Sequence, residues 1–322
     1  MNRKALLLAA LLSAAPLAVH GQSYPNKPIR MVLLVTPGGG SDVTARTIGQ
    51  KMSEAWGQQV IVDNRPGAGG IVGMEITSKA NPDGYTLVLG TIGPVAVNPA
   101  LYAKLPYDPV KDFDAVARAV SALNVLVVHP SLPVTSVKEL IAYAKAQPGR
   151  LNFGSSGPGA ADHLAGELFN TLAGVRMQHV PYKGGAPAMI DLLGGNVQLI
   201  FATVSTAAAH LKSGRIRPLA ITAGKRADLF PDLPTVAEAG VPGFAVENWY
   251  GVIAPAGVPK PILARLHREI NRILTLPDVQ ERLHSMGIVP FPAASPDEFA
   301  RYIRSEITKY AGVVKAAGIK PN

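Results

Sequence analysis

The sequence predicts an α/β fold made of two lobes of doubly wound sheet, with a ligand cleft between the lobes. Short apolar runs of strand length alternate with segments of helical spacing, which is typical of parallel sheets covered by helices. A Gly-rich loop joins a strand to a helix in both halves of the chain. The length of 322 residues also exceeds what one small core usually serves, which favours two domains.

The N-terminal residues predict an export signal. Arg3 and Lys4 precede an apolar run that extends to Val19, and small residues follow it. Cleavage near Gln22 would then remove residues 1–21. The alternative is a membrane anchor, for which this run is short. The sequence contains no Cys, so there is no lipoprotein cysteine, disulfide or thiol chemistry, and we expect a free periplasmic protein.

The charge of the chain favours small anionic solutes over nucleic acid. The formal net charge is +9, but the Lys and Arg residues are scattered singly rather than clustered with aromatic residues. Export also argues against a nucleic-acid partner. A general attraction for anions is the inference that remains.

The first half of the chain repeats the order strand, Gly-rich loop, helix. The apolar run Ile29–Val35 ends in the loop Thr36–Asp42, after which helical spacing begins. The strand Val60–Val62 is followed by the loop Pro66–Gly70 and a second helix. Tyr85–Leu89 predicts a third strand, and the three strands are expected to be parallel.

The second half contains the same order. Leu123–Val128 predicts a strand and Ser136–Ala146 a helix. The strand Leu151–Phe153 then leads through the loop Gly154–Gly159 into a helix over Ala160–Leu172. Further strands are predicted at Leu199–Ala202 and Leu219–Thr222.

Two C-terminal helices have clear boundary signals and no predicted chemistry. Pro261 occupies a first-turn position in the first, above an apolar stripe. Ser295 and Glu298 have the spacing of a capping box for the second. We expect both helices to serve packing.

The two Gly-rich junctions can hold an anion. Glycines let the backbone approach a ligand closely, and the start of a helix offers free N–H groups and a partial positive charge. Ligands of open parallel sheets bind beyond the carboxyl ends of the strands, where both junctions fall. Asp42 and Asp162 lie in the first turns, where acids favour the helix. They would repel an anion unless they point away, order a water or receive an ammonium group, and these alternatives stay open.

The sequence does not match the motifs of phosphate-binding, dinucleotide-binding or serine-nucleophile sites. Neither junction has the Lys of a P-loop, and Gly67–Gly73 lies too far from its strand for a dinucleotide fingerprint. Pro158 replaces the last Gly of a nucleophile elbow. The histidines lack metal-type spacing, so we expect no metal, cofactor or catalysis. One alternative is an exported serine hydrolase that uses Ser155 or Ser156 with His163.

A series of short strings carries a resemblance that spans almost the whole mature chain. The strings are Pro37–Gly39, Asn64–Gly70, Pro82–Thr86, Leu105–Pro109, His163–Phe169, His179–Gly184, Pro231–Thr235, Pro242–Phe244 and Ala254–Gly257. In this order and spacing, the chain resembles the tripartite tricarboxylate transporter receptor family, the Bug-type periplasmic solute-binding proteins.

The resemblance implies a type II periplasmic-binding fold whose lobes are joined by two crossings, near Ala122–Val125 and Val246–Tyr250. The first lobe would then comprise residues 22–123 plus 248–322, and the second residues 124–247. In this family, carboxylates lie between the lobes and are held largely by backbone N–H groups, hydroxyls and ordered waters.

The resemblance also implies a set of ligand-binding residues. They are Thr36, Gly38, Gly39, Ser41, Asp42 and Thr91 in the first lobe, and Ser155, Ser156, Gly157, Gly159 and Thr203 in the second. The chain departs from the family at Thr36, where Pro is common, and at Ala160, where Thr is common. The implied function is capture of a small organic acid or amino acid by a monomer that delivers it to membrane permease subunits. Sensing for a membrane signalling protein is an alternative use.

Overall fold

A computed structural model describes residues 24–317, which form two mixed sheets covered by helices. The predicted signal peptide therefore lies outside the described residues. Between residues 24 and 317, no helix is long and apolar enough to cross a membrane.

The first sheet contains strands from both ends of the described chain. They are β1 (Ile29–Leu33), β2 (Val60–Asn64), β3 (Thr86–Thr91), β4 (Phe113–Ala122), β10 (Asn248–Pro255) and β11 (Ile288–Pro290). Their order in the sheet is β11-β4-β10-β3-β1-β2. Strands β2, β1 and β3 are parallel, as the alternation of strands and helices predicts. Strand β10 is antiparallel to both β3 and β4, and β11 is antiparallel to β4.

The second sheet is formed by the middle of the chain. Its strands are β5 (Asn124–Val128), β6 (Asn152–Ser155), β7 (Gln178–Pro181), β8 (Leu199–Thr203) and β9 (Arg217–Ile221). The order is β7-β6-β8-β5-β9, with β7, β6 and β8 parallel and β5 antiparallel to both of its neighbours. Each sheet thus has three parallel strands followed by an antiparallel one.

Helices connect the parallel strands and cover the sheets. They are α1 (Gly40–Trp56), α2 (Ile71–Ser78), α3 (Asn98–Leu101), α4 (Val137–Ala146), α5 (Ala161–Ala173), α6 (Gly185–Leu193), α7 (Val204–Lys212), α8 (Lys260–Leu274), α9 (Pro277–His284) and α10 (Pro296–Ala317). A 3₁₀ turn at Ala68–Gly70 precedes α2, and a π turn at Gly93–Val97 precedes α3.

The chain passes between the sheets where antiparallel strands meet. Leu123 alone separates β4 from β5, and its N–H donates to the carbonyl of Gly287 over 2.8 Å. Its own carbonyl accepts from the N–H of Val204 at 2.9 Å, so this residue is tied to both lobes. The return passage ends at Asn248, which pairs with Ala122. We propose that the lobes divide at these two points.

The sheets are mixed rather than wholly parallel, and two long strands were missed in the sequence. Strands β4 and β10 follow no Gly-rich loop, and β4 leads into another strand rather than a helix, so the spacing typical of parallel units does not predict them. The two strands are antiparallel to each other, and the crossings between the lobes lie at the end of β4 and the start of β10. The predicted helix over Ala160–Leu172 is confirmed with a shift of one residue at each end, because Ala160 is extended.

Both C-terminal helices serve packing, as predicted. Leu266 and Ile270 of α8 are buried with Met31 and Ile48 on one side of the first sheet. The Ser295 hydroxyl accepts from the N–H of Glu298 at 3.1 Å and so caps α10. Helix α10 also packs against α5, which places C-terminal residues of the first lobe against the second.

Candidate functional site

A cavity of about 260 Å³ lies between the two sheets at the carboxyl ends of their parallel strands. The first-lobe wall comprises the loop after β1, the Gly67–Gly70 loop and the end of β3. The second-lobe wall comprises the loop after β6, the end of β7 and the start of α7. This is the cleft that the strand pattern predicts. Its volume suits a small metabolite, because sites for drug-sized ligands are usually larger.

Several helices begin at this wall without a side-chain cap. The residue at the cap position is Gly39 for α1, Gly70 for α2, Ala160 for α5 and Thr203 for α7, and none of their side chains accepts from a backbone N–H of its helix. All four residues line the cavity. The first N–H groups of these helices therefore lack intrahelical partners where a ligand can meet them. Their partial positive charges converge on one space, which favours an anion.

Six of the predicted ligand-binding residues line the cavity. They are Gly39, Ser41 and Thr91 on the first-lobe wall and Ser156, Gly157 and Thr203 on the second. The Thr203 hydroxyl is 2.9 Å from that of Thr206, which also lines the cavity. Hydroxyls and glycine backbone are thus the main polar groups that the two junctions present.

Thr36, Gly38 and Asp42 do not line the cavity. Gly38 is exposed, and the Thr36 N–H donates to the carbonyl of Lys183 at 3.1 Å. The Asp42 carboxylate accepts from Gly38 N–H and is paired with Arg46 at 3.0 Å. These groups hold the loop and connect the lobes, so the structure places them behind the surface that a ligand would touch.

Ser155 and Gly159 also lie behind the wall. Ser155 is the last residue of β6, and its fully buried hydroxyl is 2.6 Å from Nε2 of His179. The Gly159 N–H donates to Nδ1 of His163 at 3.0 Å. Ser156 follows the strand and lines the cavity, whereas the hydroxyl of Ser155 is turned to His179.

The Gly67–Gly70 loop is a wall element absent from the predicted residue set, although the family resemblance includes its string. All four residues line the cavity and have positive φ, from 45° at Ala68 to 144° at Gly67. A methyl group at Gly69 would lie 2.6 Å from the carbonyl oxygen of Pro158 across the cleft. The two lobes are therefore in backbone contact here, and the structure is a closed form.

The floor of the cavity contains polar residues that no motif in the sequence marks. Asn124 and Asn248 are the first residues of the two strands that follow the crossings, and both are buried. The Asn248 amide donates to the Asn124 oxygen at 3.4 Å and to the Tyr250 hydroxyl at 3.3 Å. The signal available in the sequence was their position at the two predicted crossings, beside which the cavity lies.

The charged groups of the wall are few. Among the described residues that line the cavity, Lys183 is the only cation and Asp162 the only acid. Lys183 is exposed at the rim, whereas the Asp162 side chain is buried. Its carboxylate accepts from the Ser156 N–H at 2.7 Å and the Ser156 hydroxyl at 2.5 Å. Burial raises the pKa of Asp162 to about 6, although these hydrogen bonds act in the opposite direction.

The serine hydrolase alternative is not supported by the arrangement of its residues. Ser156 is bonded to Asp162 rather than to a histidine, and the imidazole near Ser155 is that of His179. Ser155 is fully buried and His163 accepts from a backbone N–H, so neither can meet a substrate in the cleft. A nucleophile must lie within hydrogen-bond reach of its base and face the substrate.

Comparisons with known proteins agree with this architecture. A family model described as the tripartite tricarboxylate transporter family receptor matches residues 44–319. Protein BugT of Bordetella pertussis is 38% identical over 323 residues, which cover 99% of each chain.

Solved structures give the same result. The structure of R. palustris Rpa4515 with adipate is 39% identical, with a TM-score of 0.90 over 93% of this chain and 100% of that one. MatC from Rhodopseudomonas palustris with bound malate is 33% identical, with a TM-score of 0.86 over 90% of this chain and 100% of that one. The chain belongs to the tripartite tricarboxylate transporter receptor family of solute-binding proteins and has their two-lobed type II fold.

Proposed function

We propose that this chain is a periplasmic receptor that encloses a small carboxylate between its lobes and delivers it to the permease subunits of a tripartite tricarboxylate-type transporter. The observation that carries the proposal is the set of uncapped helix starts that converge on one closed cavity. Related structures hold adipate and malate, both dicarboxylates, which supports an acid of similar size.

The donors on the two walls suit a carboxylate that is bound through neutral groups. Ser41 and Thr91 line the first-lobe wall, and Ser156 and Thr203 line the second. Backbone N–H groups at helix starts are strong donors to an oxyanion and cost no side-chain entropy. Recognition without an arginine fork then depends on the lobes closing around the ligand, because each wall supplies only part of the donor set.

Closure supplies the means of delivery. The lobes are joined at two crossings and touch through Thr36 and Gly69, whose partners Lys183 and Pro158 lie across the cleft. Hinge motion at the crossings would open the cleft and expose the ligand site. A permease that distinguishes the closed from the open form would then receive only occupied receptor.

A thermal-shift and calorimetric screen tests the proposal. Adipate, malate, citrate, glutamate and benzoate are compared with neutral sugars, using mature protein purified without added acids. A ligand at 100 times its dissociation constant stabilises the fold by about 2.7 kcal/mol. We expect at least one acid to raise the melting temperature and the sugars to leave it unchanged. Stabilisation by a sugar and by no acid would refute the carboxylate assignment.

Delivery requires a separate test. Uptake of the bound acid is measured in cells that contain the permease subunits, with and without the receptor gene. We expect loss of high-affinity uptake without the receptor. Unchanged uptake with intact ligand binding would instead support the sensing role.

A further inference from the structure

The Asp162 carboxylate lines the cavity in which a bound anion is expected to contact only hydrogen-bond donors. It is 5% exposed and lines the cavity, and no ion pair formed within residues 24–317 includes it. Its oxygens accept from the N–H and hydroxyl of Ser156, and from the N–H of His163 at 3.0 Å. An ionised carboxylate in this position repels a ligand carboxylate, and the low dielectric of a closed cleft strengthens the repulsion.

The state of Asp162 also fixes the direction of the Ser156 hydroxyl. When the carboxylate is ionised, the hydroxyl hydrogen points to Asp162 over the 2.5 Å contact. The oxygen of Ser156 then presents only lone pairs to the cavity. When Asp162 carries a proton, that proton can be donated to the Ser156 oxygen, which frees the serine hydrogen for a ligand oxygen.

We propose that Asp162 and Ser156 form a proton-controlled donor, so that the receptor takes up one proton from solvent as it closes on a carboxylate. The proton resides on Asp162 and is donated to the Ser156 oxygen, while the serine hydroxyl donates to the ligand. No covalent bond forms or breaks apart from that O–H. The inference rests on the proposed function, since it requires a carboxylate in the cavity.

The two histidines on the same lobe do not titrate in the relevant pH range. His163 and His179 are stacked with ring centroids 3.9 Å apart, and burial lowers the pKa of His163 to about 4. Burial and the charge of His163 lower the pKa of His179 to about 3. Burial raises the pKa of Glu167, which contacts His163, and neither of these two residues lines the cavity.

The titratable neighbours on the other elements do not account for a change of charge near Asp162 between pH 6 and 8. Burial raises the pKa of Tyr250 on β10 far above neutrality, so its hydroxyl stays neutral. Lys183 lines the rim of the cavity but is exposed, and within residues 24–317 its side chain forms no hydrogen bond or ion pair with Asp162. The pKa of Asp162 itself, about 6, lies where a ligand carboxylate can raise it further.

Calorimetry of the whole mature protein with adipate and with malate, between pH 6 and 8, tests the inference. Both acids are fully ionised over most of this range, so a change in affinity reports on the protein. We expect the affinity to fall up to about tenfold per pH unit above the pKa of Asp162. Titrations in phosphate and in Tris, whose ionisation enthalpies differ, should show uptake approaching one proton per ligand near pH 8.

Two variants separate the proton relay from simple repulsion. Asp162→Asn should bind with little pH dependence, and its melting temperature reports whether it folds. Ser156→Ala should lower the affinity for the acid roughly tenfold at pH 6 and much less at pH 8. At pH 8 the hydroxyl of the ligand-free protein already donates to the ionised Asp162, so its loss removes a donor from both states. Thr91→Val removes a cavity hydroxyl that has no acid beside it, so its cost should be the same at both pH values.

The outcomes are distinct. Flat affinity from pH 6 to 8 and enthalpies independent of the buffer, with adipate or malate still bound, would overturn the proton relay and leave the receptor function standing. A Ser156→Ala cost equal at both pH values would overturn the role of the hydroxyl. Failure of every acid to bind at any pH would refute the proposed function and this inference with it.

Discussion

The two Gly-rich junctions each place a buried acid in the first turn of a cavity-facing helix, yet the two acids differ in their charged partners and in the direction of their pKa shifts. Asp42 is paired with Arg46 and bonded to Gly38 and Asn64. Burial would raise its pKa, but these donors outweigh it and hold the pKa below the usual value. No ion pair formed within residues 24–317 includes Asp162, which lines the cavity and has a pKa raised by burial.

The contrast shows that a first-turn acid is defined by its neighbours rather than by its position in the helix. The helix dipole acts on both side chains in the same direction, with an effect of up to about 1 kcal/mol at the surface. A guanidinium one helical turn away makes Asp42 a structural anchor of its loop. The absence of such a partner from the described contacts of Asp162 leaves its proton free to respond to a ligand.

The largest expected effect concerns stability against pH. Asp162 has a pKa near 6 in the folded state, against 3.8 for the free side chain. Its contribution to stability is therefore complete below pH 4 and is lost as the pH rises through 6. The difference of about two pH units corresponds to roughly 3 kcal/mol of unfolding free energy.

Urea unfolding between pH 4.5 and 7.5 measures this effect as the difference in pH slope between wild type and Asp162→Asn. We expect wild type to lose stability relative to the variant as the pH rises. When the series is extended to pH 2, Asp42→Asn should differ from wild type with the opposite sign, because a pKa lowered from 3.8 adds stability that is complete above about pH 4 and is lost on further acidification. Parallel curves for all three proteins would contradict the contrast between the two acids.

A second prediction concerns the contact between the opposing walls. Gly69→Ala places a methyl group 2.6 Å from the Pro158 carbonyl oxygen, so the cleft cannot close fully. Overpacking of this kind costs about 1–3 kcal/mol, which should weaken adipate binding roughly 10- to 100-fold.

Gly57→Ala is the matched control for that substitution. Gly57 has φ of 64°, close to the 62° of Gly69, but a methyl group there meets nothing within 4 Å. Both variants should lose similar stability through backbone strain. Only Gly69→Ala should lose affinity, as measured by calorimetry. Equal affinities in the two variants would show that closure does not require this contact.

The sequence predicted the frame of the site because strand, Gly-rich loop and helix leave a periodic pattern. That pattern located the junctions at Pro37–Ser41 and Ser155–Gly159, and the structure places residues of both on the cavity wall. It could not tell Ser155 from Ser156. Which of two neighbouring hydroxyls faces the cleft depends on the phase of β6, and this is set by the packing of Phe153 and His179 in the core.

The rest of the site depends on contacts between segments distant in sequence. Asn124 and Asn248 meet only because the two crossings bring together the first residues of β5 and β10, which belong to different sheets. A glycine is required at position 69 because the backbone of Pro158, 89 positions further along the chain, lies against it. No local sequence pattern predicts a contact between such distant residues. Asp42 was assigned to the ligand by family resemblance, whereas its pairing with Arg46 follows helical i, i+4 spacing that the sequence does contain.

The smallest expected effect tests the assignment of Asp42 as an anchor. Arg46 is about half exposed, so Arg46→Met should cost no more than about 1 kcal/mol of stability, the usual contribution of an exposed pair. Asp42→Asn retains an oxygen that can accept from Gly38 N–H and should change adipate affinity by less than about threefold, since the side chain does not line the cavity. Calorimetry at pH 6 measures both affinities, with Asp162→Asn as the cavity-facing counterpart. A tenfold or greater loss in Asp42→Asn would mean that the first junction also presents its acid to the ligand, and the two walls would then be alike.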